Sequence, residues 1–427
     1  MLDFVFTTNP PVIMHVDINS CFATIEQQAN PLLRGKPIVV AAYTTNNGCI
    51  LAASVEAKRY GIKTGMRIKD AKYLYPHLIA LSPDPSKYRV VNRKLTTLLE
   101  EYSPHVSVQS IDEMVLSLAD TPALFRALKS HTTVLEAMIS VAREIKQRVK
   151  EEIGEWITVS IGIAPNRYLA KVASGLEKPD GLRWITKENI VSVLEPMRLE
   201  DLCGIKDGNA TKLRGVSIMS PLSMLYTDSD TLKRGFHSII GRHWWLRMHG
   251  WAASADGYGE LKQKSFGQSY AMSASYTAKD TQVWQILSQL TMKMGRRLRE
   301  DGFSARGIAV SLMFGDHTHW GNQMLQTESL FADRDFYEKS WEILHHAPEK
   351  VIRILAVSCY ALQKDLYGQL SLLPEENKKI MITRAIDEIQ ERYGSFVLTP
   401  ARMMHMEHTV MDRIAFGKAG LSANVRS

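Results

Sequence analysis

Acidic side chains occur at two points of the sequence where an apolar run ends. Asp17 follows the apolar run Val12–Val16, and the pair Asp112–Glu113 lies between two short segments that are typical of strands. Burying a bare carboxylate costs too much free energy, so each group must be solvated, paired or bound to a cation. If the three carboxylates meet, a hard cation would relieve their repulsion, and oxygen ligands suit Mg²⁺. The spacing alone leaves open the alternative that these acids cap strands or pair with surface lysines.

Two such ions held close together would support chemistry on a triphosphate. One ion would lower the pKa of an attacking hydroxyl, and the other would neutralise the triphosphate and its leaving group. Lys58 and Lys178 are candidates for further phosphate contacts, although a single lysine is more often a solvated surface residue. No Walker-type glycine loop accompanies them, which argues against the phosphate cradle of an ATPase or kinase.

The composition indicates a soluble protein of two to four domains whose basic charge suits a polyanion, although a moderately basic chain is more often just soluble than nucleic-acid-binding. The chain has 427 residues, 45% hydrophobic and 23% charged, and a net charge of +7. Between Asp201 and Trp320 there are 15 Lys and Arg against 10 Asp and Glu, a net charge of +5 that suits binding to phosphates. No apolar run is long enough for a membrane span, and the first residues lack the pattern of a secretory signal. The four cysteines form no CxxC pair, so we expect reduced thiols and a cytoplasmic location.

The first half of the sequence alternates short apolar strands with amphipathic helices. Strands are predicted at Val12–Val16, Pro37–Ala42 and Trp156–Ala164, and a helix at Val134–Ile153. The last strand continues into a helix that ends at Lys178–Gly181, where Pro and Gly supply the break. This pattern predicts an α/β (α+β) fold in which helices pack on a sheet.

The second half predicts a helical segment, a linker and a separate α/β unit. Leu199–Gly250 reads as short helices, and Gly250–Leu261 is small and glycine-rich like a linker. The residues after this linker read as strand, helix, two strands, helix and strand, which predicts a four-stranded sheet with two helices. The predicted bounds are Lys264–Ser273, Thr281–Arg299, Gly307–Phe314, Gln323–Leu330, Phe336–His345 and Val351–Leu362.

Six blocks of the sequence carry a resemblance to a known family. They are HVDINSCFA (15–23), LRGKPIVV (33–40), EAKRYGIKTGM (56–66), SIDE (110–113), SIGIAPNRYLAKVAS (160–174) and KPDG (178–181). In this order they resemble the Y-family DNA polymerases, which include bacterial DNA polymerase IV and the catalytic subunit of DNA polymerase V. The segment Asn46–Cys49 is more similar to the polymerase V branch.

The resemblance implies a right-handed polymerase with a palm, small fingers, a helical thumb and a separate four-stranded α/β little finger. It assigns residues 11–22 and 84–185 to the palm, 23–83 to the fingers and 186–250 to a thumb resembling a helix-hairpin-helix. A linker at 251–262, a little finger at 263–365 and a C-terminal tail at 366–427 complete the expected domains.

The resemblance also implies roles for the candidate site residues. Asp17, Asp112 and Glu113 match the family's catalytic metal-binding carboxylates, which hold two Mg²⁺ ions with the backbone carbonyl of Ile18 as an additional ligand. Phe22 matches the steric gate, an aromatic ring that rejects ribonucleotides. Lys178 and Lys58 match residues that contact the triphosphate.

Two departures and two further sets of contacts complete the expectations. Val55 stands where many relatives have a tyrosine that holds a phosphate, and Lys206 replaces a glycine of the thumb motif. A lysine at 206 could still reach a phosphate as a point charge. Sequence-independent DNA contacts are expected from Lys206, Lys262, Lys264, Arg296, Arg297, Arg299 and Arg306. After the last predicted strand, the sequence resembles the peptide that docks in the bacterial sliding clamp, and a buried strand is the alternative. The expected clamp-docking residues are Gln369, Leu370, Ser371, Leu372 and Leu373.

The resulting expectation is a low-fidelity DNA polymerase that extends primers past damaged template bases. Its expected partners are primer–template DNA, deoxynucleoside triphosphates and the bacterial sliding clamp; accessory subunits are left open and a monomer is expected. The alternatives are a catalytically inactive relative that only binds DNA, a nucleotidyl cyclase and a structural DNA-binding protein. All three carboxylates are present, which argues against the first, and the thumb and clamp peptide argue against the second.

Overall fold

The computed structural model describes residues 4–253, 264–364, 374–394, 396–404 and 410. These residues divide into two compact units, one up to residue 253 and one from residue 264 onward. No helix in the described ranges is long and apolar enough to cross a membrane.

The first unit contains eight strands and twelve α-helices among its described residues. The strands are β1 (Ile13–Ile18), β2 (Ile38–Ala41), β3 (Ile50–Ala53), β4 (Ile79–Leu81), β5 (Val106–Val108), β6 (Glu113–Ser117), β7 (Val159–Ala164) and β8 (Leu182–Trp184). The helices are α1 (Cys21–Ala29), α2 (Val55–Arg59), α3 (Ile68–Leu74), α4 (Pro85–Glu100), α5 (Pro122–Leu128), α6 (Val134–Arg148), α7 (Arg167–Gly175), α8 (Ile190–Leu194), α9 (Asp207–Arg214), α10 (Pro221–Leu225), α11 (Ser229–Phe236) and α12 (Ile240–Met248).

A five-stranded sheet in the order β5-β6-β1-β7-β8 forms the centre of this unit. The central strand β1 is buried along its whole length, which its continuous apolar run predicts. Met14, Val16 and Ile18 pack in the core that includes residues of α1, α4 and α6. Ile13 packs in a second core with residues of α7 and the later helices. Because β1 is antiparallel to both neighbours, its end lies beside the start of β6 and the start of β7.

A smaller sheet, β3-β2-β4, has its own hydrophobic core. Helices α2 and α3 contribute Ala57, Ile68 and Ala71 to that core. Ser54 begins α2, and its hydroxyl accepts a hydrogen bond from the Ala57 amide at 3.2 Å. This small module therefore fixes the position of Lys58, which lies in α2 next to the buried Ala57.

The second unit is a four-stranded antiparallel sheet with helices packed on it. The strands are β9 (Ser265–Tyr276), β10 (Phe303–Phe314), β11 (His319–Leu330) and β12 (Ile352–Lys364), in the order β11-β10-β12-β9; the helices are α13 (Thr281–Glu300), α14 (Asp333–His345) and α15 (Pro374–Tyr393). The order of strands and helices from β9 to β12 matches the order that the sequence pattern predicts. Strand β10 begins four residues earlier than predicted, because an irregularity between Ala305 and Gly307 lets the pairing continue past it.

Helix α15 is attached to the second unit through a buried arginine on α13. The guanidinium of Arg299 donates to Asp387 of α15 through Nε at 2.6 Å and Nη2 at 2.8 Å. Its Nη1 donates to Asp333 at 2.9 Å and to the carbonyl of Phe331 at 2.8 Å. Only 4% of the Arg299 side chain is exposed, so the expectation that it contacts DNA phosphates is wrong.

Replacing Asp387 with asparagine is expected to destabilise the second unit by about 3 kcal/mol, because it leaves a buried guanidinium short of one counter-charge. The loss should appear as a lower midpoint in urea denaturation followed by tryptophan fluorescence, to which Trp284, Trp320 and Trp341 of the second unit contribute. Glu391→Gln removes an acid from an exposed position of the same helix and should leave the midpoint unchanged. An equal shift in both variants would show that the charge of the helix, and not the contact with Arg299, is responsible.

Candidate active site

The ends of β1 and β6 bring the predicted carboxylates to one place. Asp17 and Glu113 are directly opposite each other in the antiparallel pair, and the amide of Ile18 donates to the carbonyl of Asp112 at 2.9 Å. The Oδ1 atom of Asp112 accepts a hydrogen bond from the hydroxyl of Ser110 at 2.5 Å. The strand register therefore accounts for the convergence of two acidic sites that lie almost a hundred residues apart in sequence.

His15 is a neighbour of these carboxylates that the sequence reasoning did not single out. One ligand atom each from His15, Asp17 and Glu113 lies within 4.8 Å of the others. The Nε2 atom of His15 is 4.0 Å from Glu113 Oε2, and neither ring nitrogen has a hydrogen-bond partner among the described residues. Burial lowers the pKa of His15 to about 3, so the ring is neutral. Its signal in the sequence is the two-residue spacing from Asp17, which puts both side chains on one face of β1.

Two lysines occupy the space around the acids. Lys178 Nζ is 2.6 Å from Asp17 Oδ2, and Lys171 Nζ is 2.5 Å from Glu113 Oε2. Burial raises the pKa of Asp17 to about 6, and the nearby charges of Asp112 and Glu113 act in the same direction while Lys178 opposes them. The oxygen donors and this accumulated negative charge fit a hard divalent cation. Lys171 lies on α7, whose first turn is capped by Asn166.

A pocket of about 310 Å³ contains all of the predicted catalytic and nucleotide-contacting residues. From β3 and the segment after α2, the pocket is also lined by Leu51, Ala52, Ala53 and Thr64. The residues predicted from sequence that line it are Asp17, Ile18, Phe22, Lys58, Asp112, Glu113 and Lys178.

The ring of Phe22 is held from behind by a second aromatic ring. Phe22 stacks on Tyr88 of α4 with a centroid separation of 4.5 Å and an interplanar angle of 11°. The hydroxyl of Tyr88 donates to Glu26 at 2.9 Å, and Lys87 pairs with the same carboxylate at 3.0 Å. Phe22 is 2% exposed, so its ring has little freedom to move away from the pocket. Sequence patterns did not indicate a role for Tyr88, because it lies more than sixty residues from Phe22.

Lys58 reaches the same pocket from α2. Its Nζ donates to the hydroxyl of Ser20 at 2.8 Å. Burial and the charge of Lys178 lower the pKa of Lys58, while Asp17 opposes this shift. Two cations whose charges repel each other in one pocket favour an anionic ligand between them.

The residues expected to contact DNA lie elsewhere on the two units. In the first unit, Lys206 is exposed directly before α9. In the second unit, Lys264 is exposed before β9, whereas Arg296 pairs with Glu300 at 2.8 Å. Arg297 is half-buried on α13, and Arg306 donates to the carbonyl of Gln326 at 3.0 Å. The residues of the expected clamp peptide, Gln369, Leu370, Ser371, Leu372 and Leu373, lie outside the described residues, as does Lys262.

Comparisons with known proteins agree with this geometry. Residues 16–175 match the impB/mucB/samB family, and residues 263–372 match the C-terminal domain of the same family. The DNA polymerase IV of Moorella thermoacetica is 30% identical over 403 residues, which cover 90% of this chain and 94% of that protein. DNA polymerase IV 1 of Bacillus subtilis is 27% identical over 414 residues, covering 95% of this chain and 96% of that protein.

Two solved structures that resemble this fold are polymerases. A Y-family DNA polymerase chimera of Dbh and Dpo4 superposes with a TM-score of 0.69 at 22% identity, covering 82% of this chain and 98% of that one. An insertion ternary complex of Dbh DNA polymerase superposes with a TM-score of 0.52 over the same shares of both chains. The chain therefore belongs to the impB/mucB/samB family and has the fold of the Y-family DNA polymerases.

Proposed function

We propose that this protein is a template-directed DNA polymerase of low fidelity that extends primers past damaged template bases. The observation that supports this most is the single pocket in which Asp17, Asp112 and Glu113 meet Lys178 and Phe22. Its primer–template DNA and deoxynucleoside triphosphate substrates are proposed from the same pocket and from the relatives, which are named DNA polymerase IV.

Asp17, Asp112 and Glu113, with the carbonyl of Ile18, would hold two Mg²⁺ ions. When bound, such ions lower the pKa of an attacking 3′-hydroxyl and neutralise charge on the triphosphate. Lys178 contributes from the protein side: its ammonium pairs with Asp17 now and is close enough to the pocket to bind phosphate oxygens when nucleotide enters. Lys58 would add a second positive charge from the fingers.

Tolerance of damage would follow from a pocket side on which three of the residues beside Leu51 and Lys58 have small side chains. Ala52, Ala53 and Thr64 offer few atoms against a nascent base pair. Selectivity depends on how differently a site contacts the transition states of correct and incorrect substrates. A pocket that makes few contacts with the nascent base pair therefore accepts distorted base pairs and discriminates weakly between correct and incorrect ones.

Weak binding to DNA would be offset by the sliding clamp and by basic side chains. Lys206, Lys264, Arg297 and the less available Arg296 and Arg306 would contact backbone phosphates without reading sequence. The peptide at residues 369–373 would dock on the bacterial sliding clamp, which raises the effective concentration of the enzyme at the primer end. We further propose a monomer that works in the cytoplasm.

Primer extension on an undamaged template and on one with an abasic site tests the proposal. With Mg²⁺ and deoxynucleotides, the protein should extend primers through the abasic position, and EDTA should stop extension on both templates. A structural DNA-binding protein would bind the primer–template equally well with EDTA and extend nothing. Absence of extension even with the sliding clamp would instead favour the catalytically inactive alternative.

A further inference from the structure

The turn that carries Lys178 is held from its far side by a lysine of α6. The Nζ atom of Lys146 donates to the carbonyl of Asp180, donates to the carbonyl of Gly181 at 3.2 Å and pairs with Asp180 Oδ1 at 2.9 Å. The two carbonyls accept two of the three N–H donors of the ammonium group, and the contact with Asp180 Oδ1 is an ion pair. Lys150, one turn further along, pairs with the other carboxylate oxygen of Asp180, at 3.1 Å.

The burial of Lys146 indicates that its contacts with the turn compensate for removing its charge from water. Its side chain is 16% exposed, against 40% for Lys150. Removing a charge from water is unfavourable unless partners compensate, and an apolar side chain of similar length would fill the same space without that cost. What a lysine provides at this position, and an apolar side chain does not, is a set of contacts that fixes the geometry of the turn.

The same turn is also bonded to β7 and, through Ser160, to the residue that follows β1. The amide of Gly181 donates to the hydroxyl of Ser160 at 3.3 Å, and the carbonyl of Gly181 accepts from the Ile161 amide at 3.0 Å. The hydroxyl of Ser160 in turn donates to Asn19 Oδ1 at 2.8 Å, two residues after Asp17. A side chain at Gly181 would place its Cβ 1.7 Å from the carbonyl oxygen of Glu177, so this position accepts only glycine.

We propose that Lys146 is a positioning residue for nucleotide binding: it fixes the turn 178–181 so that the ammonium of Lys178 faces the triphosphate site. The inference rests on the proposed role of Lys178 as a phosphate contact. Lys146 acts only through that turn, because its ammonium is directed at the carbonyls of Asp180 and Gly181 and at the Asp180 carboxylate.

The variant Lys146→Met keeps the length of the side chain and removes all three donors. We expect the KM for deoxynucleotide to rise about tenfold while kcat stays within about twofold, because a displaced binding group weakens substrate binding before it affects the chemical step. The matched control is Lys150→Met, which removes an equal charge from the same side of the turn and from the same carboxylate but leaves the carbonyl contacts. Its KM should change by less than about twofold, since exposed ion pairs contribute little.

A double-mutant cycle with Lys178→Ala separates positioning from general destabilisation. If Lys146 works through Lys178, Lys146→Met should raise KM about tenfold in the wild type and not measurably in the Lys178→Ala background. The same rise in both backgrounds, an equal rise in Lys150→Met, or no rise in Lys146→Met would overturn the positioning role. A wild-type protein that extends no primer would instead refute the polymerase proposal, so the two failures are distinguishable.

Discussion

Replacing Asp112 with asparagine is expected to slow primer extension about a thousandfold, because electrostatic stabilisation by a bound metal ion is worth several kcal/mol and each 1.4 kcal/mol is a factor of ten. Asparagine has nearly the shape of aspartate, and its amide oxygen can still accept the hydrogen bond from Ser110. The backbone contact between Ile18 and Asp112 does not involve the side chain at all. The substitution therefore removes a negative charge while leaving the local fold in place.

The measurement is single-turnover extension by one nucleotide at saturating deoxynucleotide and Mg²⁺, with primer–template affinity determined separately by fluorescence anisotropy. We expect unchanged or slightly tighter DNA binding, since one negative charge is lost near a polyanion. Glu195→Gln removes an exposed acid elsewhere in the same unit and should retain the wild-type rate. A rate for Asp112→Asn within tenfold of the wild type would rule out Asp112 as an essential ligand.

The sequence predicts the elements of this fold well where burial is periodic. Strand β10 alternates with Ile308, Val310, Leu312 and Phe314 buried, and that two-residue period is visible in the residues themselves. The continuous apolar run of β1 likewise predicts a strand buried on both faces. The family resemblance also indicates which loops lie close together in the structure. Periodicity alone does not carry that information.

The residues that contact the site residues were harder to predict from the sequence. Lys171, Tyr88 and Lys146 act through contacts with residues 34 to 66 positions away, and such contacts depend on how helices are placed on the sheet. The residue types of Lys171 and Lys146 do not indicate such contacts, since a lysine on an amphipathic helix is usually solvated.

The error at Arg299 has the same origin. The sequence alone does not distinguish the three arginines of α13, Arg296, Arg297 and Arg299. In the structure, Arg299 donates hydrogen bonds to the acids of α14 and α15. Helical periodicity puts Arg299 one position after the buried Leu298, on the edge of the apolar face. Whether a charge at such an edge is exposed or buried depends on the element that covers it, and α15 begins more than seventy residues later.

Replacing Phe22 with valine is expected to raise the incorporation of ribonucleotides relative to deoxynucleotides about a hundredfold, which is the discrimination that an apolar pocket reaches against one added hydroxyl. The Phe22 ring lines the pocket beside Asp17 and is backed by Tyr88, so it cannot retreat from a bulkier sugar. Valine leaves the backbone of α1 unchanged but removes the part of the ring that crowds the sugar. The observable is the ratio of kcat/KM for the two sugars opposite the same template base.

Tyr88→Phe is the matched control, because it keeps the stacked ring and removes only the hydroxyl that donates to Glu26. If the ring of Phe22 is the barrier, Tyr88→Phe should keep the sugar selectivity of the wild type within about threefold, because Phe22 stays supported in van der Waals contact. Both variants require a thermal denaturation measurement, since Phe22 belongs to the buried core and its truncation leaves a cavity. Unchanged selectivity in a folded Phe22→Val protein would place the discrimination elsewhere. An equal loss in Tyr88→Phe would instead assign it to the network of Tyr88, Glu26 and Lys87, and the aromatic ring of residue 22 would then serve only to fill the core.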